Sequence, residues 1–204
     1  MPRERAGDYD VKIQKILDAA AVLFARTGYP GAKMQDIAKA CGASKSMLYH
    51  YFPTKDKLLF AMLREHLEDT LFAIEAAITA EAVPQKRFVC FIHTYTQKSA
   101  QSRRRHIVAM NDLRFLPKAQ QKPILELERK VVMSVADLLR ELNPDISVQL
   151  YKPYAMLLLG MLNWTDTWYR PGGSITPAEL CDRISRLFLK GYLAEGCASS
   201  RARP

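Results

Sequence analysis

The chain has 204 residues, a formal net charge of +9 and 49% hydrophobic residues, enough for one large domain or a small domain attached to a larger one with a well-packed core. No apolar run reaches the roughly 18 residues of a membrane span. Cys41, Cys90, Cys181 and Cys197 are scattered without a C-x-x-C pair, which argues against a zinc site or a disulfide framework.

Taken in chain order, every segment carries a helical period, and the predicted class is all-α. Ile13, Ile16, Leu17, Ala20 and Phe24 define a first helix ending near Thr27 and Gly28. Helices near 34–40 and 44–51 follow. Ile37 and the small Ala38, then Gly42, then Leu48 and Tyr51, give the register of a helix-turn-helix. The glycine supplies the positive φ of the tight turn, and Leu48 and Tyr51 pack back on the first helix. Phe52 shares that inner side. The opposite face holds Lys45, Ser46, Met47, Tyr49 and His50, a mixture suited to a DNA groove and its phosphates. Thr54 reads as an N-cap for a long helix over 54–80 with a stripe of Leu59, Leu63, Leu67, Leu71, Ile74 and Ile78.

Pro84 starts another helix, with Phe88, Phe91, Ile92 and Tyr95 on one side, and a shorter one covers about 103–114. Pro117 and Pro123 interrupt the chain before the stripe Ile124, Leu127, Val131, Val135, Leu138 and Leu142, which Asn143 and Pro144 end. Residues 145–170 and 177–194 form a last pair. Pro171, Gly172 and Gly173 separate them, and Thr176 to Glu179 is a capping box with proline at the first helical position. The tail from Ala198 to Pro204 is expected to fray.

Charge is uneven. Residues 1–66 hold 11 Lys/Arg against 7 Asp/Glu, whereas 98–130 hold 9 against 3. Both excesses favour polyanions as partners. The second lies outside the helix-turn-helix.

Residues 10–60 resemble the DNA-binding domain of the TetR family of transcriptional regulators, through ILDAAAVLFARTGY, MQDIAKACGASKSMLYHYF and PTKDKLL. The resemblance implies a DNA-binding domain over 1–54, linked by the fourth helix to a ligand-binding and dimerisation domain over 55–204. It implies DNA contacts from Ser44, Lys45, Ser46, Met47, Tyr49 and His50, phosphate contacts from Lys33, Gln35 and Lys55, and a homodimer on a palindromic operator. Ser46 and Met47 depart from the residues common at those positions, which leaves the operator sequence open.

Residues 154–169 are apolar around most of a helix, which must therefore be buried on more than one side. Leu157, Met161, Trp164 and Trp168, with Ile184, Leu187 and Phe188 of the final helix, are the expected dimer interface. A purely intramolecular core is the alternative. Asn163, Thr167 and Arg170 share one face, as a polar rim of that interface or as the lip of a ligand site. The segment GMLNWTDTWYRPGGSITPAEL, after DLRFLPKAQQKPILELER, resembles TetR-family regulators of fatty-acid, phenylacetate and sterol catabolism, which respond to acyl-coenzyme A thioesters. On that likeness Arg103, Arg104 and Arg105, with Arg114, are a candidate phosphate clamp. Phe88, Phe91, Ile92, Tyr95, Met110 and Phe115 are a candidate acyl pocket, completed by Asn163, Trp164, Thr167, Trp168 and Arg170. A solvated basic face and an ordinary helical core are the plainer readings of the same residues.

The expected function is thus a ligand-released repressor, with double-stranded operator DNA, a second copy and a small effector as partners. No cofactor, metal, catalytic residue or membrane partner is expected. MPRERAGDYD lacks the apolar core of a signal peptide, so a cytoplasmic location is expected. A hydrophobic drug or free aromatic acid is the alternative effector. A non-specific architectural DNA binder leaves the large apolar C-terminal half unexplained. A small helical enzyme finds no support: His50, His66, His93 and His106 lack metal-ligand spacing, and no G-x-S-x-G, phosphate-binding loop or H-E-x-x-H occurs.

Overall fold

Helix α1, Arg3–Gly31, breaks where the sequence predicts: Gly28 adopts φ 68° and ψ 161°, and one further turn follows to Gly31. The computed structural model describes residues 3–170 and 172–199, and side chains over 9–170 and 172–195. Within these residues all regular structure is helical: α1, then α2 Met34–Ala40, α3 Lys45–Tyr51, α4 Lys55–Thr79, α5 Pro84–Gln101, α6 Arg103–Asp112, α7 Lys118–Leu142, α8 Tyr151–Trp168 and α9 Pro177–Ser199. No helix among the described residues is long and apolar enough to cross a membrane.

The caps follow local chemistry. Thr54 Oγ1 accepts the Lys57 amide at 3.1 Å at the start of α4. Thr176 and Glu179 form the reciprocal box: the Thr176 amide donates to Glu179 Oε2 at 2.8 Å, and the Glu179 amide donates to Thr176 Oγ1 at 3.2 Å.

Three boundaries differ from expectation. Helix α7 begins at Lys118 and runs through Pro123, because a proline near a helix start forfeits a single i→i−4 bond. Residues 145–150 precede α8 as a turn and a short 3-10 segment, Val148–Leu150. Helix α9 continues to Ser199, past the expected fraying at Ala198. Pro171 of the predicted stop, and residues 200–204 of the tail, lie outside the described residues.

The chain divides into two compact units, Met1–Glu68 with Ser102–Glu126, and Asp69–Gln101 with Leu127–Pro204. The division is not linear along the chain. The reason is α6, which packs on α1 and so joins the N-terminal unit. In that unit Ile16, Leu17, Ala20 and Phe24 are buried, as are Ile37, Ala38, Leu48, Leu58, Leu59, Met62 and Leu63. The second unit has its own core, in which α5 contributes Phe88, Phe91, Ile92 and Tyr95, α7 Val135 and Leu139, α8 Leu158 and Leu162, and α9 Ile184 and Phe188. Tyr192 of α9 donates its hydroxyl to the Leu139 carbonyl at 2.8 Å, and Asn143 Nδ2 donates to the Tyr192 carbonyl at 3.0 Å. These bonds tie the end of α7 to α9 and satisfy carbonyls that water cannot reach.

Candidate nucleic-acid interface

The α2–α3 pair has the expected register. Ile37, Ala38 and Leu48 are buried, and Gly42 turns the chain at φ 69°. A Cβ at Gly42 would meet nothing within 4 Å, so its requirement is conformational and not steric. The Ser44 hydroxyl accepts the Met47 amide at 3.1 Å and lies 3.1 Å from Ser46 Oγ. Ser44 therefore caps α3, a role beside the DNA contact expected of it.

With Leu48 turned inward, Lys45, Ser46, Tyr49 and His50 are exposed together and Met47 is half-buried. Lys45 Nζ lies 6.0 Å from the Tyr49 ring centroid. Lys33 and Gln35 are exposed at the start of α2. Phe52 is buried as expected, while Tyr51 is only half-buried and packs on Tyr9, with ring centroids 5.1 Å apart. The geometry is a short helix presenting a cation, hydroxyls and rings on one face, with the exposed Lys33 and Gln35 at the start of the preceding helix.

Lys55 departs from expectation. Its ammonium donates to the carbonyls of Tyr29 at 2.8 Å and Ala32 at 3.0 Å, and sits 4.2 Å over the Tyr29 ring. Lys55 thus holds the end of α1 against α4 in place of a phosphate, because the break at Gly28 leaves carbonyls needing donors. Tyr29 is the centre of this junction. Its ring packs on Phe24 and stacks on Phe115, both at 5.6 Å, and its hydroxyl bonds to Asp56. Burial, and then the Asp56 carboxylate, raise the Tyr29 phenol well above its ordinary range.

The predicted arginine cluster also divides. Arg105 is only 12% exposed and forms ion pairs with Glu65 at 2.5 Å and Asp18 at 2.8 Å, with Gln14 Oε1 accepting at 3.0 Å. It joins α6 to α4 and α1 and is not available as a phosphate clamp. Arg103, Arg104 and Arg114 are exposed, Arg114 lying 5.0 Å over the Phe115 ring. Beside Arg105, His66 of α4 and His106 of α6 are both buried, with His66 Nε2 3.3 Å from His106 Nδ1.

The expected acyl pocket separates in the same way. Phe88, Phe91, Ile92 and Tyr95 share the second unit's core, whereas Met110 is exposed on α6 and Phe115 stacks on Tyr29. Tyr95 donates its hydroxyl to Asn163 Oδ1 at 2.6 Å, so two of the predicted ligand residues meet. Thr167 Oγ1 donates to the Trp164 carbonyl at 2.7 Å, and Arg170 donates to the Tyr169 carbonyl at 3.1 Å. Both serve the C-terminal end of α8. On α8, Leu157, Trp164 (66% exposed) and Trp168 face outward, as does Leu187 (70%) on α9, while Met161 is half-buried. Ile184 and Phe188, expected at the same interface, are 7% and 9% exposed in the protomer's own core, with Phe188 stacked on Phe88 at 5.7 Å. Phe188 follows Leu187 by one residue, about 100° around the helix, so the two face different sides of α9 although both are apolar.

Sequence reasoning missed Tyr29, Asp112, Glu65 and Asp18. Each acts through a partner on another helix, and no spacing along the chain announces such a pairing.

Residues 16–62 match the family model described as bacterial regulatory proteins, tetR family, and residues 81–192 match the tetracyclin repressor-like C-terminal domain. The HTH-type transcriptional repressor KstR2 of Rhodococcus jostii is 29% identical over 189 residues, covering 87% of this chain and 89% of its own. A TetR-family transcriptional regulator from Bordetella parapertussis superposes with a TM-score of 0.83 at 38% identity, over 89% of this chain and 95% of that one. AibR, solved with isovaleryl coenzyme A and operator DNA, shares the fold with a TM-score of 0.78 at 23% identity, over 86% of this chain and 97% of that one. The chain belongs to the TetR family: it is a helix-turn-helix, DNA-binding transcriptional regulator and not an enzyme.

Proposed function

We propose that the protein is a homodimeric repressor that holds a palindromic operator through two copies of α3 and releases it when a small effector, an acyl-coenzyme A thioester, binds the second unit. The exposed face Lys45, Ser46, Tyr49 and His50, set on a buried Leu48, carries the DNA part of this reading. The dimer part rests on the outward apolar face of α8 and α9, since large exposed apolar surface marks an association site. Two such subunits would set their recognition helices about 34–36 Å apart, one turn of the groove. Likeness to KstR2, a repressor, and to AibR, solved with isovaleryl coenzyme A, supports the direction of regulation and the effector class.

The effector acts only through unequal affinity for the operator-competent state and the released one. A labelled palindrome selected by the protein from random DNA, titrated with acyl-coenzyme A thioesters and followed by anisotropy, tests the reading. Loss of operator affinity is the expected result, and unchanged affinity overturns the effector class. A hydrophobic drug or free aromatic acid is the second reading, favoured by the engagement of Arg105 in ion pairs. An acyl-coenzyme A thioester and the free acid of the same chain, titrated side by side, separate the two: release of the operator by the thioester alone supports the first reading, and release by the free acid supports the second.

A further inference from the structure

A second basic face stands on the DNA-binding unit, outside the helix-turn-helix. Between Asp112 and Glu126 the chain carries Arg114, Lys118 and Lys122 and no acid. All three are exposed, and they belong to the same compact unit as α2 and α3. Among the described residues neither lysine is in an ion pair. The segment is held in place: Gln121 Nε2 donates to the Leu116 carbonyl at 2.6 Å across the turn into α7, and Leu116 and Ile124 are buried. Lys118 and Lys122 are four residues apart and share a side of α7. The face is continuous with the α2 end of the DNA interface. Arg114 lies over the Phe115 ring, and Phe115 stacks on Tyr29. Lys55 reaches from the Tyr29 ring to the Ala32 carbonyl, and Ala32 adjoins Lys33, exposed before α2. Two acids on this path are already engaged, Asp112 by the Tyr29 amide and Asp56 by the Tyr29 hydroxyl.

We propose that Arg114, Lys118 and Lys122 form a surface for flanking DNA, taking backbone phosphates beyond the base pairs that α3 reads. Charge complementarity and continuity with the α2–α3 face name the occupant. Exposed cations on a fixed turn meet phosphates of any sequence, so the surface adds affinity and salt dependence and carries no base preference. It also gives α6 and the start of α7 a part in DNA binding, although they lie far along the chain from the helix-turn-helix. The inference rests on docking by α3 and not on any effector.

Two duplexes decide it, both carrying a site selected by the full-length protein from random DNA. The short one is trimmed to that site, and the long one is extended at each end by about 10 base pairs, one helical turn. Anisotropy is followed at several salt concentrations with random competitor DNA in excess. The long duplex is expected to bind about tenfold tighter. In Lys118→Gln/Lys122→Gln that advantage is expected to fall below about threefold with short-duplex affinity retained, and the long-duplex salt slope to lose about 0.9 for each phosphate contact removed. Adding Arg114→Gln should remove what advantage is left. An unchanged urea midpoint in the lysine variant, which leaves Arg114 on its ring, shows that the fold is kept. Equal parent affinity for both duplexes, an advantage and slope that survive the substitutions, or an equal fall on both duplexes overturns the proposal. So does a fall in decanoyl-coenzyme A affinity beside an unchanged length effect, which gives the face to an effector's phosphates. Lys45→Ala, run in parallel, tests α3 alone: full short-duplex affinity beside a kept length effect removes α3 as the docking face and leaves the flanking surface.

Discussion

The backbone N–H of Tyr29 donates to the buried carboxylate of Asp112, 83 residues further along the chain, at 3.1 Å. The break at Gly28 takes that amide out of the α1 ladder, and a side chain from the end of α6 accepts it. Asp112 thereby fixes the residue whose ring and carbonyl seat Lys55, and α6 helps to shape the DNA-binding unit. Asp112→Ala leaves the amide without its acceptor and is expected to destabilise the protein by about 1–3 kcal/mol in urea unfolding. Asp112→Asn keeps an acceptor oxygen and should lose less than half as much. Equal stability of the alanine variant and the parent would refute this role.

Lys55 gives a second expectation, opposite to the one its position suggests. Lys55→Ala removes two charge-assisted bonds and a cation over a ring, and should cost about 2 kcal/mol of stability. Lys45→Ala and Tyr49→Ala remove side chains that touch little of their own protein, so their stability should stay within about 0.5 kcal/mol. Operator affinity should fall in both, and the salt dependence of binding should lose about one unit of slope for Lys45→Ala if that lysine meets a phosphate. Anisotropy at several salt concentrations measures this, and full affinity in both variants would remove α3 as the docking face.

These cases show what could be read in the chain and what could not. The α2–α3 register, the Thr54 cap and the Thr176–Glu179 box depend on residues at most a few positions apart, so their chemistry is written locally. Lys55, Arg105 and Asp112 were legible as charges, but their partners Tyr29, Glu65, Asp18 and Gln14 lie on other helices. Position on a family motif suggested a phosphate for Lys55, and the broken end of α1 claimed it. Phe188 and Leu187 are adjacent and both apolar, so period alone could not say which faces outward. Pro123 stopped the predicted helix for a similar reason: sequence shows the proline but not the packing of Ile124 and Val131 that carries α7 through it.

The His66–His106 pair sets a pH dependence. Burial, with His106 and Arg105 adding, pulls the His66 pKa from 6.5 down to about 3. The folded state therefore keeps this ring neutral while the unfolded chain takes up a proton below pH 6.5. Unfolded protein binds more protons between about pH 3 and 6.5, so stability falls as pH falls through that window and is fully present above it. The loss from this group at pH 5 is about 2 kcal/mol. His66→Asn should flatten the decline between pH 7 and 5, and an unaltered slope in chemical unfolding would assign the effect elsewhere.

The Arg105 network makes a different demand on the same unit. Removing Arg105 leaves Glu65, whose side chain is 30% exposed, with the neutral Gln14 amide donating to it at 2.9 Å, whereas Asp18, at 70%, can turn to water. Arg105→Ala is expected to destabilise by about 2 kcal/mol, and an Arg105/Glu65 double-mutant cycle should return about 1 kcal/mol of coupling, with Asp18 adding little. Coupling equal to that of Asp18 would mean that burial does not rank the two carboxylates.

The outward face of α8 and α9 sets the last expectation. Leu157, Trp164 and Leu187 are exposed in the single chain, so replacing them with charge removes no contact of the protomer's own core. Leu157→Asp and Leu187→Asp should leave far-UV circular dichroism and the urea m-value of the isolated subunit intact. In a dimer each would bury a carboxylate without a partner, at a cost of several kcal/mol per interface. Sedimentation should therefore report a monomer, and operator affinity should collapse because one copy of α3 reads only a half-site. Phe188→Asp, at a core position, should instead unfold the second unit. A Leu187→Asp protein that still sediments as a dimer would move the association surface off α8 and α9.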